Sequence, residues 1–399
     1  MLDVDLAAMN PDAIDVALEH IRDNGNGSGN GNRKRAMPSA ELTELLEAAV
    51  ERDASDVHLV PGYVPTFRIH GELHPAGTAV LTPEQTRSMI ETLVPERSQP
   101  LLAESKNLDC SVALVYHGGE RRFRASVYLA QGYWCACLRY IPNEIPSLEW
   151  LGFAEDLAQR LGAHGNGLVV LTGVTGSGKT ASLAALVHLL RQDPNKRVLT
   201  VEEPIEYLHA PTGGGIVTQR EVGRDVDSFA DGLKHGLRQD PNVILVGEIR
   251  DRETAQMALS AAETGHLILA TLHTRDAKGA LTRLVDIFPQ ETQDDIRAQL
   301  AMSLRSVVCQ HLLPSVDEGE KRVLALEVLH VNQQVQVAIR TGKIETIESA
   351  IQTGKRDGMI TLDEDLQRLV KAGRISADTA RRFAKDPNSI VGSAAGAWT

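Results

Sequence analysis

From Gly167 onward the chain alternates short, unbroken apolar runs with stretches of helical spacing. GLVVLT is followed by ASLAALVHLL, and RVLTVEE, NVILVGE and HLILATL come after it. Runs this short and this apolar leave no polar face, so they predict strands buried on both sides. Their alternation with helical or loop segments predicts an α/β domain with a mostly parallel sheet. Upstream the pattern is different. VHLV and TFRIH alternate, and RRFRASVYLA puts Arg122, Arg124, Ser126 and Tyr128 on one face and Phe123, Ala125 and Val127 on the other. YWCACLRYIP reads as a partner strand, and LTELLEAAVERD as a helix capped by Ser39. Residues 38–145 therefore predict a small α+β domain, and IPNEIPSLEWLG a proline-marked connector out of it.

Two regions flank this core. Residues 11–23 have helical spacing through Ile14, Val16, Ala17 and Ile21, and a Gly/Asn-rich linker ending in RKR follows, so residues 1–37 read as a tethered helix and flexible arm. Beyond Pro289 the chain reads as mostly helical: QDDIRAQLAMSLRSVVCQHLL, QQVQVAIRTG, IETIESAIQTG, TLDEDLQRLVKAG and SADTARRFAKD. Gly342, Gly354 and Gly373 sit where helices would stop. The resulting division is 1–37, 38–145, 146–330 and 331–399.

Composition narrows the function. Across 399 residues the formal net charge is −12 and aromatics make up 4%, which argues against a nucleic-acid surface built on basic charge or base stacking. Cys110, Cys135, Cys137 and Cys309 include no C-x-x-C pair, so a tetracysteine zinc site is excluded; free thiols in a reducing cytosol are expected. No apolar run reaches the length of a membrane span, so any membrane association is expected to come through a partner.

The chemistry concentrates in GVTGSGKT, residues 173–180, which fits G-x-x-x-x-G-K-[ST] at every defined position. Gly173, Gly176 and Gly178 let consecutive backbone N–H groups turn inward around phosphate oxygens. Val174, Thr175, Ser177 and Ala181 complete the cradle at the start of a helix. Lys179 can reach the β and γ phosphates of ATP, and the Thr180 hydroxyl can ligate Mg²⁺. Hydrolysis also needs an acidic group at a strand end. Glu248 closes VILVGE and can hold the metal or orient water; Glu206, in TVEEPIEY, follows another buried-strand pattern. His266 and His273 bracket HLILATL, which is expected beside the phosphate strand, and the pair suggests γ-phosphate sensing.

Four blocks in this order resemble a known family, the ATPases of type IV pili, type II secretion and related machines. GVTGSGKT resembles its Walker A, TVEEPIEY its acidic box, QDPNVILVGEIRD its Walker B and AAETGHLILATLHT its histidine box. SDVHLVPGYVPTFRIHGEL resembles the start of its PAS-like N-terminal domain, and AIRTGKIETIESAIQTGKRDGMITLDEDL the helical tail of its shorter, PilT-like branch. Val174 stands where the family usually has proline, and Glu203 where it often has aspartate; residues 1–36 have no counterpart in short members.

The resemblance implies a PAS-like α+β domain, a RecA-like P-loop ATPase domain and a helical C-terminal tail. It also implies an ATP- and Mg²⁺-dependent homo-hexamer that drives pilus retraction, acts on an inner-membrane platform protein and works at the cytoplasmic face of the membrane. In such rings arginines reach the γ-phosphate, which makes Arg122, Arg124 and Arg139 the expected contributors. A secretion ATPase of the same superfamily would carry the same blocks. A nucleic-acid translocase or a nucleotide-binding regulator would share only the P-loop.

Overall fold

The computed structural model describes residues 38–391 apart from positions 70 and 118 and the segments 95–98, 142–143, 212–213 and 318–320. The expected helix at 11–23 and the linker after it lie outside the described residues. The chain divides into two compact units, one ending at Tyr140 and one beginning at Ile141.

The first unit is a six-stranded sheet with helices. Its strands are β1 (Asp56–Leu59), β2 (Thr66–Ile69), β3 (Glu72–Pro75), β4 (Asn107–Tyr116), β5 (Gly119–Ala130) and β6 (Tyr133–Ile141), in the order β3-β2-β1-β6-β5-β4. β1 runs antiparallel to β2 and β6, β2 to β3, and β4 to β5. The face expected to be apolar on β5 is the buried one: Phe123, Ala125 and Val127 are inaccessible and pack with Leu42 and Leu46 of the helix Ala40–Glu51. That helix starts as expected, with the Ser39 side chain accepting from the Leu42 N–H. The helix Pro83–Leu93 has a full capping box between Thr82 and Gln85.

The second unit is a seven-stranded sheet with helices on both faces. Its strands are β7 (Gly167–Thr172), β8 (Arg197–Glu202), β9 (Ile216–Glu221), β10 (Val243–Val246), β11 (Leu267–Leu272), β12 (Leu304–Leu313) and β13 (Val323–His330), ordered β13-β12-β7-β11-β10-β8-β9. Every neighbouring pair is parallel except β12 and β13. β7 shows why an uninterrupted apolar run is needed. Leu168 and Val170 join the core formed with the helices Arg252–Glu263, Ala277–Asp286 and Gln293–Ser303, while Val169 and Leu171 join the opposite core with Glu155–Gly162 and Lys179–Leu190.

The expectation of a helical region after Pro289 needs correction. The helix Gln293–Ser303 stops there, and Leu304–Leu313 continues as β12, parallel to β7 and antiparallel to β13. VLALEVLH forms β13, buried at every position. Ile296, Leu300, Leu304, Val308 and Leu312 recur every four residues, so a helical period runs unbroken across a helix–strand junction. The β-branched Val307 and Val308 fit the pleated sheet better than a helix. The later helical segments do form helices, at Gln333–Arg340, Ile347–Thr353, Leu362–Lys371 and Ala377–Phe383.

Candidate active site

Because β7, β11, β10 and β8 are parallel, the loops after them open on one edge of the sheet, where ligands of such folds bind. The phosphate loop follows β7 directly. Gly173, Gly176 and Gly178 have φ of 148°, 79° and 88°, the region that favours glycine. Gly178 caps the helix Lys179–Leu190 with no side-chain bond to its first N–H groups, leaving a positive helix end facing the loop.

The loop interior has the polarity of an anion site. Lys179, 8% exposed, turns its ammonium back onto the carbonyl oxygens of Gly173 at 2.7 Å and Val174 at 3.2 Å. Burial pulls its pKa below the ordinary lysine value, and the Glu248 carboxylate works in the opposite direction. The Ser177 hydroxyl is buried with no hydrogen-bond partner, an arrangement that an oxygen-rich ligand would satisfy. Thr172 locks the loop to the end of β11: its hydroxyl accepts from the Thr274 N–H at 2.9 Å and lies 2.8 Å from the Thr274 hydroxyl.

Glu248 stands two residues past β10, and its side chain is 17% exposed. One of its oxygens meets Arg250 Nε at 2.8 Å and His273 Nε2 at 3.2 Å. Arg250 also reaches Glu203 at 3.0 Å, so it bridges the loops after β10 and β8. Glu206 lies half-buried on that same loop after β8. It stands beside Tyr207, whose phenol is raised by burial and then by the Glu206 charge. Just before this loop, Glu202, the last residue of β8, is buried and accepts from Thr200 and Gln219 at 2.7 and 3.1 Å.

The two histidines do not act as a pair. His273 follows β11 and joins Glu248, but His266 precedes β11 and its carbonyl accepts from Gly167 N–H at the start of β7. The intervening strand has six residues, which spans roughly 20 Å. Within one chain His266 therefore sits at the opposite edge of the sheet from the phosphate loop, its Nδ1 near the Ala261 carbonyl at 3.2 Å. β11 does lie beside β7, as expected. A histidine at each end of one strand cannot reach the same phosphate.

Arg122, Arg124 and Arg139 lie in the first unit. Arg122 is buried, Arg124 pairs with Asp109 at 3.3 Å, and Arg139 pairs with Asp56 at 2.8 Å. Arg250 is a site residue that the sequence reading passes over, although it stands two residues after Glu248 in VGEIRD. Among the described residues no cluster of His, Cys, Asp and Glu could hold a metal alone, and no helix is long and apolar enough to cross a membrane. The hard oxygen donors of the site are Thr180 and Glu248, a set suited to sharing a magnesium ion with a phosphate ligand rather than caging it. Buried cation, unpartnered hydroxyl, bare helix N-terminus and partly buried carboxylate together can bind a polyphosphate and polarise water beside it.

Comparison with known proteins agrees with this edge. The family described as type II/IV secretion system protein matches residues 33–391. The type IV pilus retraction ATPase PilT of Pseudomonas aeruginosa is 38% identical over 350 residues, covering 88% of this chain and 100% of that protein. YggR of Escherichia coli is 40% identical over 334 residues, covering 84% and 99%. A crystal structure of the pilus retraction motor PilT with bound ADP superposes with a TM-score of 0.77 at 38% identity, covering 86% of this chain and 97% of that one. The chain is a P-loop ATP hydrolase that belongs to the type II/IV secretion system protein family.

Proposed function

We propose that this chain powers retraction of a type IV pilus, as a homo-hexamer acting from the cytoplasmic side on a membrane platform protein. The observation that carries the reading is the alignment with a pilus retraction ATPase along that protein's whole length. In this reading residues 38–145 are a PAS-like domain, 146–330 a RecA-like ATPase domain and 331–399 a helical C-terminal region.

The β and γ phosphates of ATP replace the carbonyls of Gly173 and Val174 as partners of Lys179, and the N–H groups of residues 173–181 turn to the phosphate oxygens. Thr180 and Glu248 would hold Mg²⁺, which supplies positive charge to the phosphates when bound. Glu248 orients the attacking water and accepts its proton; His273, on the same carboxylate oxygen, sets that orientation and senses the γ-phosphate. Glu206 is the second acidic candidate. Arg122, Arg124 and Arg139 supply positive charge to the transition state.

Deleting the gene in its own organism tests this. Pili should extend and fail to retract, with retraction restored by the wild-type chain and not by Lys179→Ala. Normal retraction in the deletion strain contradicts the assignment and shifts it to a secretion machine of the same family.

A further inference from the structure

The loop carrying His273 is held by residues far from it in sequence. Thr172 grips Thr274 through its hydroxyl, and His311 Nε2 donates to the Arg275 carbonyl at 3.2 Å. The next anchor is buried: the Ala277 N–H donates to Glu327 Oε1 at 2.8 Å. Glu327 lies within β13 and is 1% exposed. A carboxylate at that depth requires a counter-charge. It comes from the C-terminal segment, where Lys385 Nζ lies 2.7 Å from Glu327 Oε2 and 3.9 Å from Glu348.

Lys385 is itself fixed. Asp363, in the first turn of the helix Leu362–Lys371, accepts from the backbone N–H groups of Lys385 and Asp386 at 2.7 and 2.9 Å. Burial is the largest influence and pulls the Lys385 ammonium down, but the carboxylates of Glu327, Glu348 and Asp276 together hold it above the ordinary range. Cys309 Sγ lies 3.9 Å from the same carboxylate, and burial, then Glu327, pushes that thiol well up. A continuous route thus runs from the C-terminal helices through Lys385 and Glu327 to Ala277, four residues after His273.

We infer that Glu327 and Lys385 are positioning residues for hydrolysis: the pair holds the His273 loop against Glu248, and couples the C-terminal segment to turnover. This rests on the assignment of Glu248 and His273 to hydrolysis. Without Lys385, Glu327 is a buried charge without its cation that must take up a proton or shift, and either change weakens or displaces its bond from the Ala277 N–H. The hydrogen bonds of the pair go to Ala277, to Cys309 of β12 and to the C-terminal segment, not to the phosphate loop. Its loss is therefore expected in turnover rather than in ATP binding.

The test uses the full chain with Lys385→Met, Lys385→Arg, Glu327→Gln with Lys385→Met, and each combined with His273→Ala. Steady-state hydrolysis, titration with a fluorescent ATP analogue and thermal unfolding are read on all. Lys385→Met should lower kcat about tenfold while ATP affinity stays within about twofold, and Lys385→Arg should recover most of the loss. The double variant keeps an oxygen for Ala277 and removes both charges, so it should fold even if Lys385→Met does not, and regain most of the rate. In the His273→Ala background Lys385→Met should cost less than about twofold more, because the pair acts through that histidine. Unchanged kcat in Lys385→Met, losses that multiply with His273→Ala, or a stable double variant still as slow as Lys385→Met would each overturn the inference. Normal kcat in His273→Ala alone would overturn the site assignment and the inference together.

Discussion

Replacing Gly173 by alanine puts a methyl group where two oxygens already stand. An added Cβ would lie 2.5 Å from the Gln310 carbonyl oxygen and 2.5 Å from Ser177 Oγ. The Gln310 oxygen is backbone of β12, and β12 is held in register with β7 through Cys309 and Thr172, so it cannot step aside cheaply. The φ of 148° adds strain for any residue with a Cβ. Strain of about 1–2 kcal/mol and overpacking of about 1–3 kcal/mol give a cost of about 2–5 kcal/mol. Gly176 is the internal control: its φ is 79° but nothing lies within 4 Å of an added Cβ, so only the strain of about 1–2 kcal/mol applies. For a unit of this size each kcal/mol shifts Tm by about 2–4 °C. Gly173→Ala should thus melt about 4–20 °C lower and lose most nucleotide affinity, and Gly176→Ala should fall less on both scales. Scanning calorimetry and titration with a fluorescent ATP analogue read the two effects. Gly173→Ala with wild-type Tm and affinity, or Gly176→Ala worse on both, would refute the packing argument.

Ser177→Ala should leave the free protein as stable as wild type or slightly more so, because the hydroxyl is buried without a partner, and should weaken ATP binding several-fold; equal loss in both assays would contradict the reading of that hydroxyl as a ligand group. His330 is 6% exposed, accepts or donates at 2.8 Å with Ser306, and burial first, then Arg160, lowers its pKa to about 4. The unfolded chain binds a proton there below about 6.5 and the folded chain only near 4. Stability from this group is therefore full above pH 6.5 and falls toward pH 4, by about 3–4 kcal/mol at most; a His330→Gln variant whose Tm drops as steeply over that window would refute it. Mixing Arg124→Ala with Lys179→Ala chains should restore some ATPase activity if one copy supplies charge to another's nucleotide. No recovery for any of Arg122, Arg124 and Arg139, once subunit exchange is verified, would leave them as salt-bridge residues.

Local pattern is the part of this fold that the sequence makes legible. β7 and the glycine loop after it are adjacent in the chain, and each has a signature of its own: an all-apolar run and a run of φ-permissive residues. The two faces of β5 emerge from strict alternation around Phe123. β12 is obscured because its apolar residues keep the four-residue spacing of the helix before it. The symmetry of His266 with His273 draws both toward the site, although strand direction and a rise of roughly 3.3 Å per residue separate them. Glu327 gives no sign of its role, since its partner Lys385 lies 58 residues away and only the packing of the C-terminal segment brings them together. Arg250 shows the same limit at short range. Its position beside Glu248 is visible, but its bridge to Glu203 depends on β8 and β10 being neighbours.

In the proposed function Glu248 serves the hydrolytic step while Lys179 holds the phosphates, and this division of labour is what most needs a direct test. Glu248→Gln keeps the side chain's shape and removes its charge, so single-turnover hydrolysis measured beside ATP affinity in that variant separates the two roles. ATP should bind within about threefold of wild type while hydrolysis falls at least about a hundredfold. Hydrolysis within a few-fold of wild type, or loss of ATP binding in parallel with hydrolysis in a folded protein, would contradict that division.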